Sequence, residues 1–259
     1  MRAIIIGAGR GSRLMPTTAD SPKCFAEVGG KRILDWILEA LFAGGVEEIV
    51  FVGGYQIDRI QDEYPRFTFV HNANWQNNNI MASLMYARAY MDEPFITSYA
   101  DILYTPAAIK RLMRSQADIT MLVDTLWAER YKSRSEHPMS DGEKMTASNG
   151  LVTRVHRDIE PAGAYGEFTG VAKFSVMGAA QLVRHYDRLA PAFTGRPFRE
   201  AAVFEKAYLI HLLQDMIEAG IHMAHVDTPG GYWEIDTQQD FSLARAGWLN
   251  DVSHHAESD

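Results

Sequence analysis

The sequence predicts an α/β fold: a mostly parallel central sheet flanked by helices, with a small antiparallel insertion. Two observations carry that reading. An apolar N-terminal run opens directly onto a glycine-rich turn, and short β-rich runs then alternate with stretches of helical periodicity. The first run, Ala3-Ile4-Ile5-Ile6, reads as a buried strand that ends at Gly7-Ala8-Gly9-Arg10-Gly11-Ser12-Arg13-Leu14. Glycines at alternate positions let the chain turn at φ values other residues resist, and they bare several N–H groups toward an anion. Arg13 and the later Pro22-Lys23 add positive charge to the same mouth. A dinucleotide-binding turn would need a glycine at the sixth position and an immediate helix. Here that position is Ser12, and Pro16, Pro22 and Gly29-Gly30 interrupt any early helix. A Walker lysine is also missing, since no Gly-Lys-Ser/Thr follows the glycines.

The remaining elements follow in order. Ile33, Leu34, Ile37, Leu38 and Leu41 form an apolar helical stripe stopped at Gly44-Gly45. Residues 48–52, 67–70, 95–99 and 119–123 read as buried strands, with helices over 81–90 and 107–114 between them. After Val123 the pattern changes. Asp141-Gly142 and Asn149-Gly150 signal turns between antiparallel strands, and a further strand covers 168–174. A helix over 200–219, a strand over 221–226 and a last helix over 238–248 complete one domain spanning residues 1–249, leaving 250–259 as a mobile polar tail.

Composition narrows the function classes. A chain of 259 residues with 47% hydrophobic content can fill a sizeable core. A net charge of -8 and a pI near 5.6 provide no broad basic surface, so nucleic acid is not an expected partner. The single cysteine, Cys24, allows no internal disulfide and reads as a small buried residue. No apolar run has membrane-helix length and no signal peptide is evident, so no membrane role and a cytoplasmic location are expected. The nine histidines show no helical metal motif.

Three further segments carry chemistry. Asp101 follows an apolar strand at the carboxyl edge, where open α/β sheets place ligands, and suits a metal; its plainer role is to cap the helix near Pro106. Glu234 and Asp236, two residues apart on an extended segment, project from one face and suit a hard cation such as Mg²⁺. Asp236 can equally cap the final helix. Asn77-Asn78-Asn79 stand at a helix mouth near Trp75, where amides can read a base edge, or where Asn79 simply caps the helix.

Ile6-Gly7-Ala8-Gly9-Arg10-Gly11-Ser12-Arg13-Leu14, with Pro16-Thr17 and Ser21-Pro22-Lys23, resembles the opening of the nucleotidyltransferases that join a nucleoside triphosphate to a phosphorylated small molecule. Gly7 stands where that family usually has Ala. The resemblance covers residues 1–247 and implies a Rossmann-like, GT-A type sheet with Mg²⁺ on Asp101, Glu234 and Asp236. The Asn78-Asn79 helix start with Ser83-Leu84, and Glu167-Phe168-Thr169-Gly170, are similar to the phosphocholine and 2-aminoethylphosphonate cytidylyltransferases rather than the sugar-1-phosphate branch. The resemblance therefore implies CTP and a small phosphorylated or phosphonate acceptor as partners. Gly7, Ala8, Gly9, Gly11, Ser12, Arg13, Asn78 and Ser83 would bind the nucleotide, with Arg13 and Lys23 as catalytic cations. Lys23 would also meet the acceptor, together with Trp127, Tyr165, Glu167 and Tyr232. Aromatic faces favour a quaternary ammonium, whereas Glu167 or Asp124 favours a primary amine. Relatives often carry a lysine near Val155-His156-Arg157, a contact that Arg157, Lys144 or neither supplies here. A sugar-1-phosphate nucleotidyltransferase and a nucleotide-sensing domain are the other readings, and the oligomeric state stays open, a homo-oligomer included.

Overall fold

The computed structural model describes residues 1–256. β1 (Arg2–Gly7) leads through the glycine loop and a short hairpin, β2 (Glu27–Val28) and β3 (Lys31–Arg32), into α1 (Ile33–Ala43). β4 (Glu48–Gly53), α2 (Ile57–Glu63), β5 (Thr68–His71), α3 (Ile80–Tyr86) and β6 (Phe95–Tyr99) follow. Next come β7 (Ile102–Tyr104), α4 (Pro106–Arg114), β8 (Ile119–Asp124) and α5 (Trp127–Tyr131). The insertion is β9 (Lys144–Ser148) and β10 (Leu151–Val155), after which β11 (Gly166–Phe174) and α6 (Val176–Phe193) return to the core. α7 (Leu209–Glu218), β12 (Ala224–Asp227), β13 (Tyr232–Glu234) and α8 (Gln238–Ala256) complete the chain.

Nine strands form one sheet in the order β5-β4-β1-β6-β11-β8-β12-β10-β9. β5, β4, β1 and β6 are mutually parallel, as are β8 and β12, while β11 runs antiparallel between β6 and β8. Alternation along β1 assigns the two faces. Ala3 and Ile5 pack with α1, α4 and α8, and Ile4 and Ile6 pack with α3 and α7, so apolar layers cover both sides of the sheet. On the first face Trp248 of α8 meets Trp36 of α1 edge-on at 5.7 Å. Because Trp248 is fully buried, residues 250–256, expected as tail, continue α8; residues 257–259 lie outside the described residues.

Several helices differ from the sequence reading, which gave no helix at α2 or α5. The helix expected over 200–219 is confined to α7, because the segment before it makes a tight loop with Arg199 at φ 50° and Phe198 bridged to Ala201. α6 was not read from the sequence, where Gly178 and Pro191 blur its pattern. Gly178 nonetheless fits the first turn, and Ser175 Oγ caps it by accepting from Gly178 N at 3.1 Å.

The second, two-stranded sheet positions the site. β7 pairs antiparallel with β13, placing Glu234 opposite Ile102, and Ile235 N donates to Asp101 O at 3.0 Å. Segments far apart in sequence are thereby locked side by side at the carboxyl end of β6.

β11 contains a bulge between Phe168 and Ala172, and Gly170 sits there at φ +80° with its bare Cα against the Tyr99 ring. A Cβ would lie 2.4 Å from Tyr99 Cδ2. Gly170→Ala therefore combines left-handed strain with a steric shift of Tyr99, and should lower unfolding stability by about 1–3 kcal/mol. Urea unfolding would report a lower midpoint at unchanged slope; an unaltered midpoint would contradict the assignment.

Candidate active site

A cavity of about 460 Å³ opens at the carboxyl ends of β1 and β6. Gly7, Ala8, Gly9, Gly11, Ser12 and Arg13 line it, as do Lys23, Asn78, Ser83, Asp101, Glu234 and Asp236. All the residues expected for nucleotide, catalysis and metal thus surround one space.

The glycines have distinct steric reasons. At Gly7 a Cβ would meet the Phe51 ring at 2.7 Å and Ala100 Cβ at 2.8 Å, which accounts for glycine at a position where alanine is usual. Gly9 has nothing within 4 Å of a Cβ position, so its backbone faces open cavity. Gly11 stands at φ 68° with the Lys23 stem across it, 2.8 Å from where a Cβ would be. Thr18 Oγ1 donates to Gly11 O at 2.9 Å, and Gln238 Nε2 of α8 donates to Leu14 O at 2.6 Å, tying the loop down.

Lys23 is buried, and its ammonium lies between two carboxylates, 2.7 Å from Asp101 Oδ2 and 2.5 Å from Asp236 Oδ1. Burial alone would lower its pKa, but Asp101 and Asp236 outweigh that and hold the ammonium charged. Asp236 also accepts from Arg13 Nη2 at 2.6 Å. Burial would raise its carboxyl, yet Lys23 and then Arg13 keep it far below the ordinary carboxylate range. Glu234 meets His137 Nε2 at a longer 3.6 Å, and burial, followed by Asp236, Glu167 and Asp101, pushes it well above that range. A cation beside it would favour its ionised form.

Asp236 does not cap α8. Thr237 Oγ1 accepts from Asp240 N at 3.1 Å while Asp240 Oδ2 accepts from Thr237 N at 2.9 Å, the reciprocal capping arrangement that leaves the Asp236 side chain facing the cavity. Asp240 is itself held by Arg134 Nε at 3.0 Å and lies 3.3 Å from His137 Nδ1. His137, Glu234 and Asp236 bring potential ligand atoms within 4.8 Å of one another. The histidine was not read as part of the site. With Asp101 nearby on Lys23, this mainly oxygen donor set suits a hard divalent cation that keeps its own waters.

At the other wall, Asn72 and Asn78 exchange amide hydrogen bonds at 2.9 Å each, and Asn72 Nδ2 also bonds Ser83 Oγ at 2.9 Å. Asn79 caps α3 by accepting from Ile80 N at 2.8 Å, while Asn77 turns outward to Asn74. Of the three amides, Asn78 and Asn79 line the cavity and Asn77 does not.

Apart from Lys23, the expected acceptor residues lie elsewhere. Glu167 is buried and taken by Arg130 Nη2 at 2.8 Å and the Tyr131 hydroxyl at 2.7 Å, and Asp124 pairs with Arg130 as well. Trp127 packs on Tyr131, and Tyr232 lies beneath the Arg130 guanidinium. Tyr165 donates to Asp227 at 2.6 Å on the surface. A buried arginine demands carboxylates and aromatic cover, and these residues supply both. The insertion instead sends Asp141, Glu143 and Arg157 to the cavity, joined by Tyr208. Lys144 is buried, with its ammonium on the Gly142 and Met139 carbonyls.

Residues 3–166 match the MobA-like NTP transferase domain. The chain belongs to that family. As a nucleotidyltransferase it is 30% identical over 256 residues to the CTP:phosphoglutamine cytidylyltransferase of Campylobacter jejuni, covering 94% of this chain and 98% of that protein. Its fold is similar to the inositol-1-phosphate CTP transferase from T. maritima, with TM-score 0.71 and 22% identity over 95% of this chain and 96% of that one. It is also similar to the CTP:phosphocholine cytidylyltransferase from Streptococcus pneumoniae, with TM-score 0.70 and 19% identity over 95% and 97%. No helix among the described residues of this nucleotidyltransferase is long and apolar enough to cross a membrane.

Several supporting residues escaped the sequence reading. Asn72 had a usable signal, since it follows β5 directly as Asp101 lies two residues beyond β6. His137 and Arg134 had none, because they reach the site from an irregular segment after α5.

Cys24 lies beside Lys23, but burial pushes its thiol up to about 12. At pH 8 less than about one part in a thousand would be thiolate, so iodoacetamide should label the native protein at least about 100-fold more slowly than the urea-unfolded chain. Mass spectrometry showing fast native labelling would contradict this placement.

Proposed function

We propose that this nucleotidyltransferase transfers CMP from CTP to a small amine-bearing phosphate or phosphonate, releasing pyrophosphate with Mg²⁺ as cofactor. The observation that carries this reading is the Lys23 ammonium clasped by Asp101 and Asp236 beside a glycine loop with a bare backbone. The near full-length likeness to a phosphoglutamine cytidylyltransferase supports CTP as the nucleotide.

An acceptor phosphate oxygen is already largely ionised near pH 7, with a second pKa of about 6, so no general base is required. The attacking oxygen forms a bond to the α-phosphorus as the bond from that phosphorus to the bridging oxygen breaks, and pyrophosphate departs in line. The barrier lies in bringing two anions together, so the protein acts by positioning and charge. Backbone N–H groups at Gly9 and Gly11 bind phosphate oxygens. Arg13, with its side chain mostly exposed, turns from Asp236 to the departing β- and γ-phosphates. Lys23 neutralises the oxygens around the α-phosphorus. Asn78, fixed by Asn72, offers the base an oriented amide, and a base of different donor pattern leaves it unpaired. Asp101, Glu234 and Asp236, with His137 adjacent, would hold Mg²⁺, which supplies charge neutralisation on the reacting phosphates when bound.

Pyrophosphate release measured with CTP, UTP, ATP and dTTP against phosphoglutamine, 2-aminoethylphosphonate, phosphocholine and glucose-1-phosphate tests the reading. CTP should exceed the other nucleotides by at least about tenfold with an amine-bearing acceptor, since the site pairs the base edge. EDTA should abolish release and Mg²⁺ restore it, and Asp236→Asn should reduce kcat by at least about 10²-fold. A preference for UTP or dTTP with glucose-1-phosphate would overturn it.

A further inference from the structure

One pair of charged residues on the cavity wall remains half-satisfied. Glu143 is buried, yet among the described residues the hydrogen bonds it takes from side chains are long ones: 3.4 Å from Arg157 Nη2 and 3.4 Å from the Tyr99 hydroxyl. Buried Glu167 in the same protein draws contacts of 2.8 and 2.7 Å. Arg157 stacks 3.9 Å over the Tyr208 ring, and its Nε is buried without a hydrogen-bond partner. Leaving a buried carboxylate so loosely paired with a partly exposed guanidinium costs stability that closer packing would recover. Such a pair persists where a ligand completes it.

We propose that Arg157 and Glu143 form the subsite for the acceptor's head group, and that this head is an α-amino acid: the carboxylate on the Arg157 fork and the ammonium on Glu143. The proposal rests on the cytidylyltransferase reading above and names its acceptor class. A guanidinium fork matches a carboxylate in plane, and the stack on Tyr208 holds that plane fixed. An amino acid carries its two opposite charges on one carbon, and neighbouring opposite charges are what this wall presents. Burial pushes Glu143 up to about 7 against the pull of Arg157, and an arriving ammonium would favour its ionised form. A trimethylammonium head fits poorly. It needs free aromatic faces, but the Tyr208 face is covered by Arg157 and the Tyr99 ring lies against Gly170. An acceptor phosphate on Arg157 would meet repulsion from Glu143, while Lys23 already offers it positive charge.

The test compares wild type, Glu143→Gln and Arg157→Lys, with phosphoglutamine and O-phosphoserine as amino-acid acceptors and phosphoethanolamine and phosphocholine as acceptors lacking the carboxylate. Wild-type kcat/KM should favour the better amino-acid acceptor by at least about tenfold, because an acceptor lacking the carboxylate leaves the Arg157 fork unpaired. Arg157→Lys should reduce that ratio, and Glu143→Gln the ratio measured against phosphocholine, by at least about tenfold while KM for CTP moves less than about threefold, a split that a general structural lesion would not produce. A ratio unchanged in both variants, or a wild-type preference for phosphocholine, overturns the subsite. Equal losses with every acceptor also overturn it and assign Arg157 to the phosphate. If no acceptor reacts with CTP, the cytidylyltransferase reading falls by itself. Calorimetric titration of phosphoglutamine into the three proteins then still decides: at least about tenfold weaker binding in each variant upholds the subsite, and equal binding overturns it.

Discussion

A buried lysine ammonium has to be paired, and that requirement organises this site. Lys23 reaches its place across Gly11, where any side chain would collide with its stem, and ends between Asp101 and Asp236. Removing either carboxylate would leave charge stranded in a poorly solvated place, which is far more costly than losing a surface ion pair. Each partner is in turn fixed by backbone. Asp101 follows β6 and lies against the β13 segment through the Ile235 amide, while Asp236 is held before α8 by the Thr237–Asp240 cap. The cluster is therefore organised before any ligand arrives, and charge on the reacting phosphates meets groups already oriented.

The two arginine-rich regions of the chain show how burial separates structure from recognition. Arg130 is enclosed by Asp124, Glu167 and aromatic rings, and its charge is balanced inside the protein. Arg157 is stacked on one ring and only loosely paired with Glu143, so its charge remains available at the cavity. The same residue types thus serve folding in one place and line the cavity in the other.

That contrast explains what the sequence could disclose. The meeting of Gly7 to Lys23, Asp101, Glu234 and Asp236 around one cavity was legible because local patterns at strand ends fix where they stand. The alternating strands and helices were legible too, although β11 makes the sheet mixed and α6 was missed behind Gly178 and Pro191. Trp127, Tyr165, Glu167 and Tyr232 were misplaced because proximity in sequence to an acceptor segment does not say which face of the sheet a side chain takes. Their fate is set by Arg130, whose burial is a tertiary fact. His137 and Glu143 come from irregular chain between α5 and β9, where no period constrains orientation.

The coupling between Lys23 and Asp236 tests the central constraint most directly. Lys23→Met, Asp236→Asn and the double variant, compared by urea unfolding, form a double-mutant cycle in which each single change takes one close partner from a buried charge. The double change should cost less than the sum of the singles by at least about 1.5 kcal/mol, the coupling of a close, poorly solvated ion pair. Additive losses within about 0.5 kcal/mol would mean that the two groups do not depend on each other, and would contradict this account of how the site is held.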